Sequence, residues 1–214
     1  MLYIVTPVSR AENIEIIFNS IKNQLIPKFK DFVKWHLILD PIISSEEHVE
    51  IYKLLTDKIL TGLKISLELG QNKKAFVGHA HRNFFIKIYN FQTEIKNIIK
   101  TDYAYFLDDD TILHPEFLET VLPVLETEKP EIIVFGQNNK DNSVRLLPSK
   151  ENIKVGYIDM GQYVFKINSL PNNIRFKEDD YCADGIFIEE LYKHHGSDNT
   201  IVINKQLSFY NFLR

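Results

Sequence analysis

The first part of the chain alternates apolar runs with segments of helical periodicity, and that alternation constrains its fold more than any other feature. "LYIVTPV" at residues 2–8, "VKWHLILD" at 33–40, "LKISLELG" at 63–70, "YAYFLD" at 103–108 and "EIIVFGQ" at 131–137 read as strands. Between them lie "ENIEIIFNSIKNQL", where Ile14, Ile17, Phe18, Ile21 and Leu25 recur at helical spacing, and "SEEHVEIYKLLTDKI", with a capping signature at Ser45. A long helix from about Gly78 to Ile99 and a shorter one over "EFLETVLPVLE" complete the series. Strand–helix alternation predicts an α/β fold, with a central mixed, mostly parallel sheet flanked by helices. In such sheets ligands gather beyond the C-terminal ends of the strands.

The remainder changes character. "VRLLPS", "VGYIDMGQYVFKI" and "TIVINKQLSFYNFL" are short strand-like runs separated by polar turns, with one helix at "DGIFIEELYKHHG". No repeat, low-complexity tract or linker separates this part, so residues 137–214 are expected to pack onto the same core and 1–214 to form a single domain. With 214 residues, 44% hydrophobic and 25% charged, the chain can bury such a core. A net charge of −4 argues against a general nucleic-acid binder. The single cysteine, Cys182, excludes an intrachain disulfide and a thiolate metal cluster; it fits a reducing, cytoplasmic setting and reads as a small buried hydrophobe. The apolar stretch of "MLYIVTPVSR" is too short for a signal peptide, and no later run is long enough to span a membrane.

The chemistry concentrates in "YAYFLDDDTILHPEFLE", residues 103–119, where three aspartates follow a buried-type strand. Adjacent carboxylates repel one another, so positive charge belongs beside them. Asp110 or Thr111 as a cap for a helix beginning near Pro115 explains one or two of these residues and leaves the apolar lead-in unexplained. Thr6, Ser9 and Arg10 after the first strand and Asp40 after the second should face the same crevice as Asp108, Asp109 and Asp110. The chain has neither a Gly-x-Gly-x-x-Gly nor a P-loop motif, which suggests that a hard divalent cation, Mn²⁺ or Mg²⁺, holds phosphates at this acidic edge.

Strand-TP, strand-D, helix-RN and strand-DDD, in that order over most of residues 1–120, resemble the GT-A fold of nucleotide-sugar glycosyltransferases. The resemblance implies Thr6, Pro7 and Asp40 at the base, Arg82 near the nucleotide, Asp109 at the ribose or metal, and Asp108 with Asp110 as a metal-holding DxD pair. It makes 1–136 a nucleotide-binding half and 137–214 an acceptor and sugar half. His79 and His81, taken singly, read as helix-surface groups, and their i, i+2 spacing disfavours a shared metal. In the second half "YIDMGQYVF" offers Asp159 and Gln162, and "KEDDYCADGIFIEEL" offers Glu178, Asp179, Asp180 and Asp184. The resemblance implies that an acid here is the general base of inverting members; Asp184 is the first choice and Asp159 and Asp180 are further candidates, with an N-cap role as the plain alternative for Asp184.

The implied activity is transfer of a sugar from a UDP-sugar to an acceptor hydroxyl on a glycan or glycoprotein, dependent on Mn²⁺ or Mg²⁺, with no nucleic-acid partner and no membrane span. A nucleotidyltransferase acting on sugar phosphates and a non-catalytic nucleotide-sugar-binding module are the rivals, although "TPVSRAEN" lacks the glycines of the former. More narrowly, the compact length and Ile/Lys/Asn-rich character resemble the glycosyltransferase domains that large algal viruses encode for capsid glycans, which would place the activity in host cytoplasm. The ending "FYNFLR" carries no tail, compatible with a first domain of something longer.

Overall fold

The computed structural model describes residues 1–58, 62–70, 78–96 and 101–214; the expected end of the long helix at 97–99 lies outside them. Strand β1 (Leu2–Val8) is buried along nearly its whole length, and a strand buried on both faces needs neighbours on both edges. It has them in β2 (Val33–Leu39) and β4 (Tyr103–Phe106), both parallel, with Leu2 opposite Val33 on one side and Tyr103 on the other. Strand β3 (Lys64–Leu69) pairs parallel beyond β2. Helices α1 (Ile14–Lys22), α2 (Ser45–Lys58) and α3 (His79–Lys96) follow β1, β2 and β3 in turn. The α2 cap sits one residue earlier than expected. Ser44 Oγ accepts from the Glu47 N–H at 3.2 Å, and Glu47 Oε2 accepts from the Ser44 N–H at 2.8 Å, a reciprocal capping box.

The chain continues through β5 (Ile112–Leu113), α4 (Phe117–Thr127), β6 (Ile132–Asn138), β7 (Val144–Leu146), β8 (Tyr163–Lys166), α5 (Ala183–His195) and β9 (Thr200–Phe209). One sheet collects all the described strands in the order β3-β2-β1-β4-β8-β6-β9-β5, with β7 hydrogen-bonded to β6. Strand β8 runs antiparallel between β4 and β6, so the fifth strand expected from the sequence is not the neighbour of the fourth. Because β6 is antiparallel to β8 and parallel to β9, the C-terminal ends of β6 and β9 reach the same edge as those of β1, β2 and β4. Strands from 1–136 and from 137–214 therefore share one sheet.

Two further findings depart from the sequence reading. Strand β5 has only two residues and exists through its pairing with β9, too short to leave a periodic signal. Within "VGYIDMGQYVFKI" only Tyr163–Lys166 is strand. Ahead of it Asp159 caps a 3₁₀ turn, accepting from the Met160 N–H at 2.8 Å while its own N–H donates to Gln162 Oε1 at 2.8 Å. Such local side-chain bonding competes with a sheet ladder.

The two faces of the sheet carry separate apolar layers. On one, Ile14, Ile17, Phe18 and Ile21 of α1 meet Leu2, Ile4 and Val8, joined by Phe117, Leu118 and Val121 of α4. On the other, Phe85, Ile86 and Tyr89 of α3 and Phe187, Ile188 and Leu191 of α5 cover Val5, Ala104 and Phe106. Each fully buried side chain of this size contributes about 1.5–3 kcal/mol. Slipping β1 by one residue would exchange the two sets, so burial fixes the register, and with it the height at which the loops after β1, β2 and β4 emerge. No described helix is long and apolar enough to cross a membrane.

Candidate active site

A cleft of about 540 Å³ opens where those loops emerge. It is lined by Ser9 and Arg10 after β1, Asp40 after β2, His79, His81 and Arg82 at the start of α3, Asp108–Asp110 after β4, Arg145 of β7, Asp159 ahead of β8, Asp184 of α5, and Tyr210 and Arg214 after β9. The strand-end rule therefore brings most of the sequence-selected residues to one place.

The positive charge demanded by the three aspartates is supplied by three guanidiniums. Arg82 pairs with Asp108; Arg10 pairs with Asp109 and, at 3.3 Å, with Asp110; Arg214 Nε lies 2.6 Å from Asp110 Oδ2. Asp109 is fully engaged in this way. Its Oδ2 accepts from Ser9 N at 2.6 Å, Ser9 Oγ at 2.8 Å and Arg10 N at 2.9 Å, and its Oδ1 receives the Arg10 guanidinium. It ties the loop after β1 to the end of β4. The capping alternative for Asp110 and Thr111 is not realised, since α4 begins after Glu116 with no side-chain cap bond. Burial pushes the Asp108 carboxyl up, Arg82 opposes, and the like charge of Asp110 adds to the rise.

Among the described residues no three His, Cys, Asp or Glu side chains converge as metal ligands. Asp108 and Asp110 nevertheless present hard carboxylate oxygens to the cleft. A pair of that kind fits Mg²⁺ or Mn²⁺ bound jointly with a diphosphate, which needs only one or two protein carboxylates.

At the β2 side, Asp40 Oδ1 accepts from the Ile42 N–H at 2.9 Å and Oδ2 lies 3.9 Å from His81 Nε2. Thr6 is not part of the cleft wall: it is fully buried and accepts from the Trp35 indole at 2.9 Å, on the face of β1 shared by Leu2, Ile4 and Val8. His79 and His81 are not surface groups either, being 3% and 4% exposed. His79 stacks on Phe176 and bonds Arg82 Nη1 through Nδ1 at 2.6 Å; burial, with Arg82 adding, pushes its pKa down to about 4. Burial lowers His81 as well, against the opposing charge of Asp40. Both rings are neutral near pH 7, and His79 thereby orients Arg82, which is 1% exposed.

On the β8 side Asp159 and Asp184 face each other. The N-cap of α5 is Cys182, so Asp184 sits within the first turn rather than capping it. Its Oδ2 accepts from Met160 N at 3.2 Å, and the same N–H donates to Asp159 Oδ1 at 2.8 Å. Burial first, then the adjacent Asp159 carboxylate, push Asp184 up to about 8. For Asp159 burial acts in the same upward direction but is outweighed: the proton shared from Asp184 and the Arg145 guanidinium, 2.7 Å away, hold it low. Asp180 is outside the cleft wall, its Oδ1 occupied by the Cys182 N–H at 2.8 Å, and Asp179 is exposed. Cys182 is exposed at the cleft, not buried as expected, because the residues ahead of α5 form its rim. Gln162 is buried behind it, bonded to Phe135 O at 3.2 Å.

Arg145, Tyr210 and Arg214 escaped sequence reasoning. No motif marks them, yet one signal existed: residues after β9 belong to the ligand edge once β9 is known to run parallel with β6.

Strand order, helix placement and cleft position together define a single-domain, GT-A-like α/β fold. Solved structures of similar architecture include Staphylococcus aureus TarS 1–349, at 15% identity and TM-score 0.69 over 97% of this chain and 59% of that one. The same protein in complex with UDP-GlcNAc matches at 14% identity and TM-score 0.68, over 97% of this chain and 57% of that one. The mannosyltransferase PcManGT from Pyrobaculum calidifontis, in complex with GDP-Man and Mn²⁺, matches at 11% identity and TM-score 0.63, over 98% and 56%. The chain spans a little over half of each of these solved chains and 36% of the longer TarS chain, and at such identities the likeness is one of fold. No protein-family model matches the chain, and no curated protein matches it significantly.

Proposed function

We propose that the chain is a glycosyltransferase that carries a sugar from a UDP-sugar to an acceptor hydroxyl of a glycan or glycoprotein, with Mn²⁺ or Mg²⁺ and in a cytoplasmic setting. The observation that carries this reading is one cleft that holds Asp40 on the β2 side, Asp108 and Asp110 beyond β4, and Asp184 on the β8 side. Those are the positions needed for a base, a diphosphate and a reacting sugar in a line. The GT-A-like fold supports it, as do the nucleotide-sugars named with the TarS and PcManGT structures.

In this reading Asp40 accepts the uracil imide N–H, and Arg10 and Arg82 give charge-assisted bonds to the phosphates. Asp108 and Asp110 would hold the cation, which when bound supplies charge stabilisation to the departing diphosphate. The acceptor oxygen forms its bond to the anomeric carbon as the bond from that carbon to the phosphate oxygen breaks, its electron pair leaving with UDP. The hydroxyl proton goes to the carboxyl group at Asp184.

The test is a panel of UDP-, GDP- and CDP-sugars, read by thermal shift and by Mn²⁺-dependent hydrolysis. Stabilisation and hydrolysis by at least one UDP-sugar are expected, because tight binding to the native state raises apparent stability. A panel with no stabilisation and no hydrolysis overturns the reading.

A further inference from the structure

We propose that Asp159 and Asp184 work as one two-carboxyl unit that holds a single proton and accepts the acceptor's proton as a pair, with Arg145 as the positioning residue that keeps the charge on Asp159. The inference rests on the glycosyltransferase reading and assigns the proton's destination within it.

The geometry is that of two carboxylates sharing one donor, with Asp184 Oδ1 also accepting from the Gly185 N–H at 2.8 Å. The Met160 N–H serves both, at 2.8 Å to Asp159 and 3.2 Å to Asp184. One guanidinium touches the pair, and it is on Asp159, whereas Arg82 acts on Asp184 only at a distance and less than burial and Asp159 do. Two half-buried carboxylates side by side cannot both stay ionised on that much support, so one keeps its proton and donates it to the other. Arg145 decides which. Its Nη2 is 2.7 Å from Asp159 Oδ2, its Nη1 donates to Gln137 Oε1 at 2.7 Å, and its guanidinium carbon stacks 3.6 Å from the Tyr210 ring centre. Tyr210 is held in turn by its N–H on Asn138 O at 2.8 Å. Residue 161 in the turn that carries Asp159 is glycine; a Cβ there would stand 2.5 Å from Gln137 Nε2 and would push the end of that side chain aside.

The other groups around the unit leave this assignment in place. From β8, the Tyr163 hydroxyl is 3.4 Å from the Asp184 carbonyl oxygen; from α3, Arg82, paired with Asp108 and His79, favours the ionised form of Asp184 but less than burial and Asp159 oppose it; from the end of β4, Asp108 adds negative charge that favours keeping the proton. Asp180 and Cys182 stand at the rim. The displaced positions of the two carboxyls, Asp184 raised and Asp159 lowered, agree with the geometry.

The step balances as follows. The acceptor O–H proton passes to Asp184 while the Asp184 proton moves along the shared hydrogen bond to Asp159. The new bond to the anomeric carbon forms, and the bond to phosphate breaks with its electron pair on UDP. The unit goes from one proton to two, then returns one to solvent.

The experiment combines ¹³C-carboxyl NMR titration of the free protein with the pH profile of sugar transfer for wild type, Asp159→Asn, Arg145→Gln and Arg145→Lys. NMR should show two coupled steps, one below the ordinary aspartate range and one well above it. The acidic limb of transfer should follow the lower step in wild type and move up by about one pH unit or more in Asp159→Asn and Arg145→Gln, with UDP affinity held, and return toward wild type in Arg145→Lys. If Asp184 acts alone, the wild-type limb instead follows the upper step and Asp159→Asn moves it down, which overturns the pair. Independent titration of both carboxyls at ordinary values also overturns it, whatever the activity. Coupled steps in a protein that neither binds nor transfers any nucleotide-sugar would instead sink the glycosyltransferase reading, and the pair's catalytic role with it.

Discussion

Asp109 accepts both the backbone N–H and the hydroxyl of Ser9, at 2.6 and 2.8 Å, from a residue 100 positions away in the chain. This carboxylate, the middle member of the acidic run, is a brace between β1 and β4. Asp109→Ala should therefore destabilise the fold by about 2–4 kcal/mol, since two backbone donors and the Arg10 guanidinium lose their acceptor. Urea denaturation measures it; a change under about 0.5 kcal/mol would show that the loop holds itself.

Asp110 should behave in the opposite way. Asp110→Asn is expected to leave the urea midpoint near that of wild type and to lower Mn²⁺-dependent UDP affinity by about tenfold or more, the range typical of a disturbed metal site. Calorimetric titration of UDP with and without Mn²⁺ reads both numbers, and wild-type affinity in the variant would exclude Asp110 as a ligand.

Base selectivity should reside at Asp40. Uracil offers an imide N–H to this carboxylate where cytosine has none, and an unmet acceptor costs about 1–3 kcal/mol, so UDP should bind about 10–100-fold more tightly than CDP. Competition binding decides the matter; equal affinities would remove Asp40 from base recognition.

Asp184 should weaken the fold it belongs to. Its folded pKa, about 8, lies above the unfolded value of 3.8, so the stability this carboxyl contributes is full below pH 3.8 and is lost as pH rises toward 8. Asn at this position does not titrate and can still donate to Asp159. Asp184→Asn is thus expected to match wild type near pH 4 and to exceed it by about 1–3 kcal/mol at pH 8, while sugar transfer falls by about 10²–10⁴-fold. Urea melts at both pH values and an initial-rate assay test the two halves; a stability difference that does not grow with pH would mean that Asp184 is ionised in the free protein.

Much of this architecture is legible in the sequence because it is local. The run Leu2, Ile4, Val5 and Val8 can be satisfied only inside a sheet, and Ile14, Ile17, Phe18 and Ile21 can share a face only on a helix. One rule, that residues after parallel strands face the ligand edge, points to both Asp40 and Asp108. The same period-two reasoning, applied within β1, would have turned Thr6 inward with Leu2, Ile4 and Val8 toward Trp35.

What lay beyond the sequence is long-range. Burial periodicity belongs to each segment by itself, so apolar spacing determined the long parallel strands of the first half, the helices packed on them and the edge at which the acids stand. Pairing partners and charge partners are chosen between segments that carry no record of each other. Only the tertiary structure decided that β8 lies between β4 and β6, that Arg214 reaches Asp110, and that Arg145 stacks on Tyr210 and meets Asp159, 14 residues away from it in the chain. The sequence by itself determined that three aspartates need positive charge; the fold determined that Arg10, Arg82 and Arg214 supply it, because Coulomb energy depends on distance in space and not on separation along the chain.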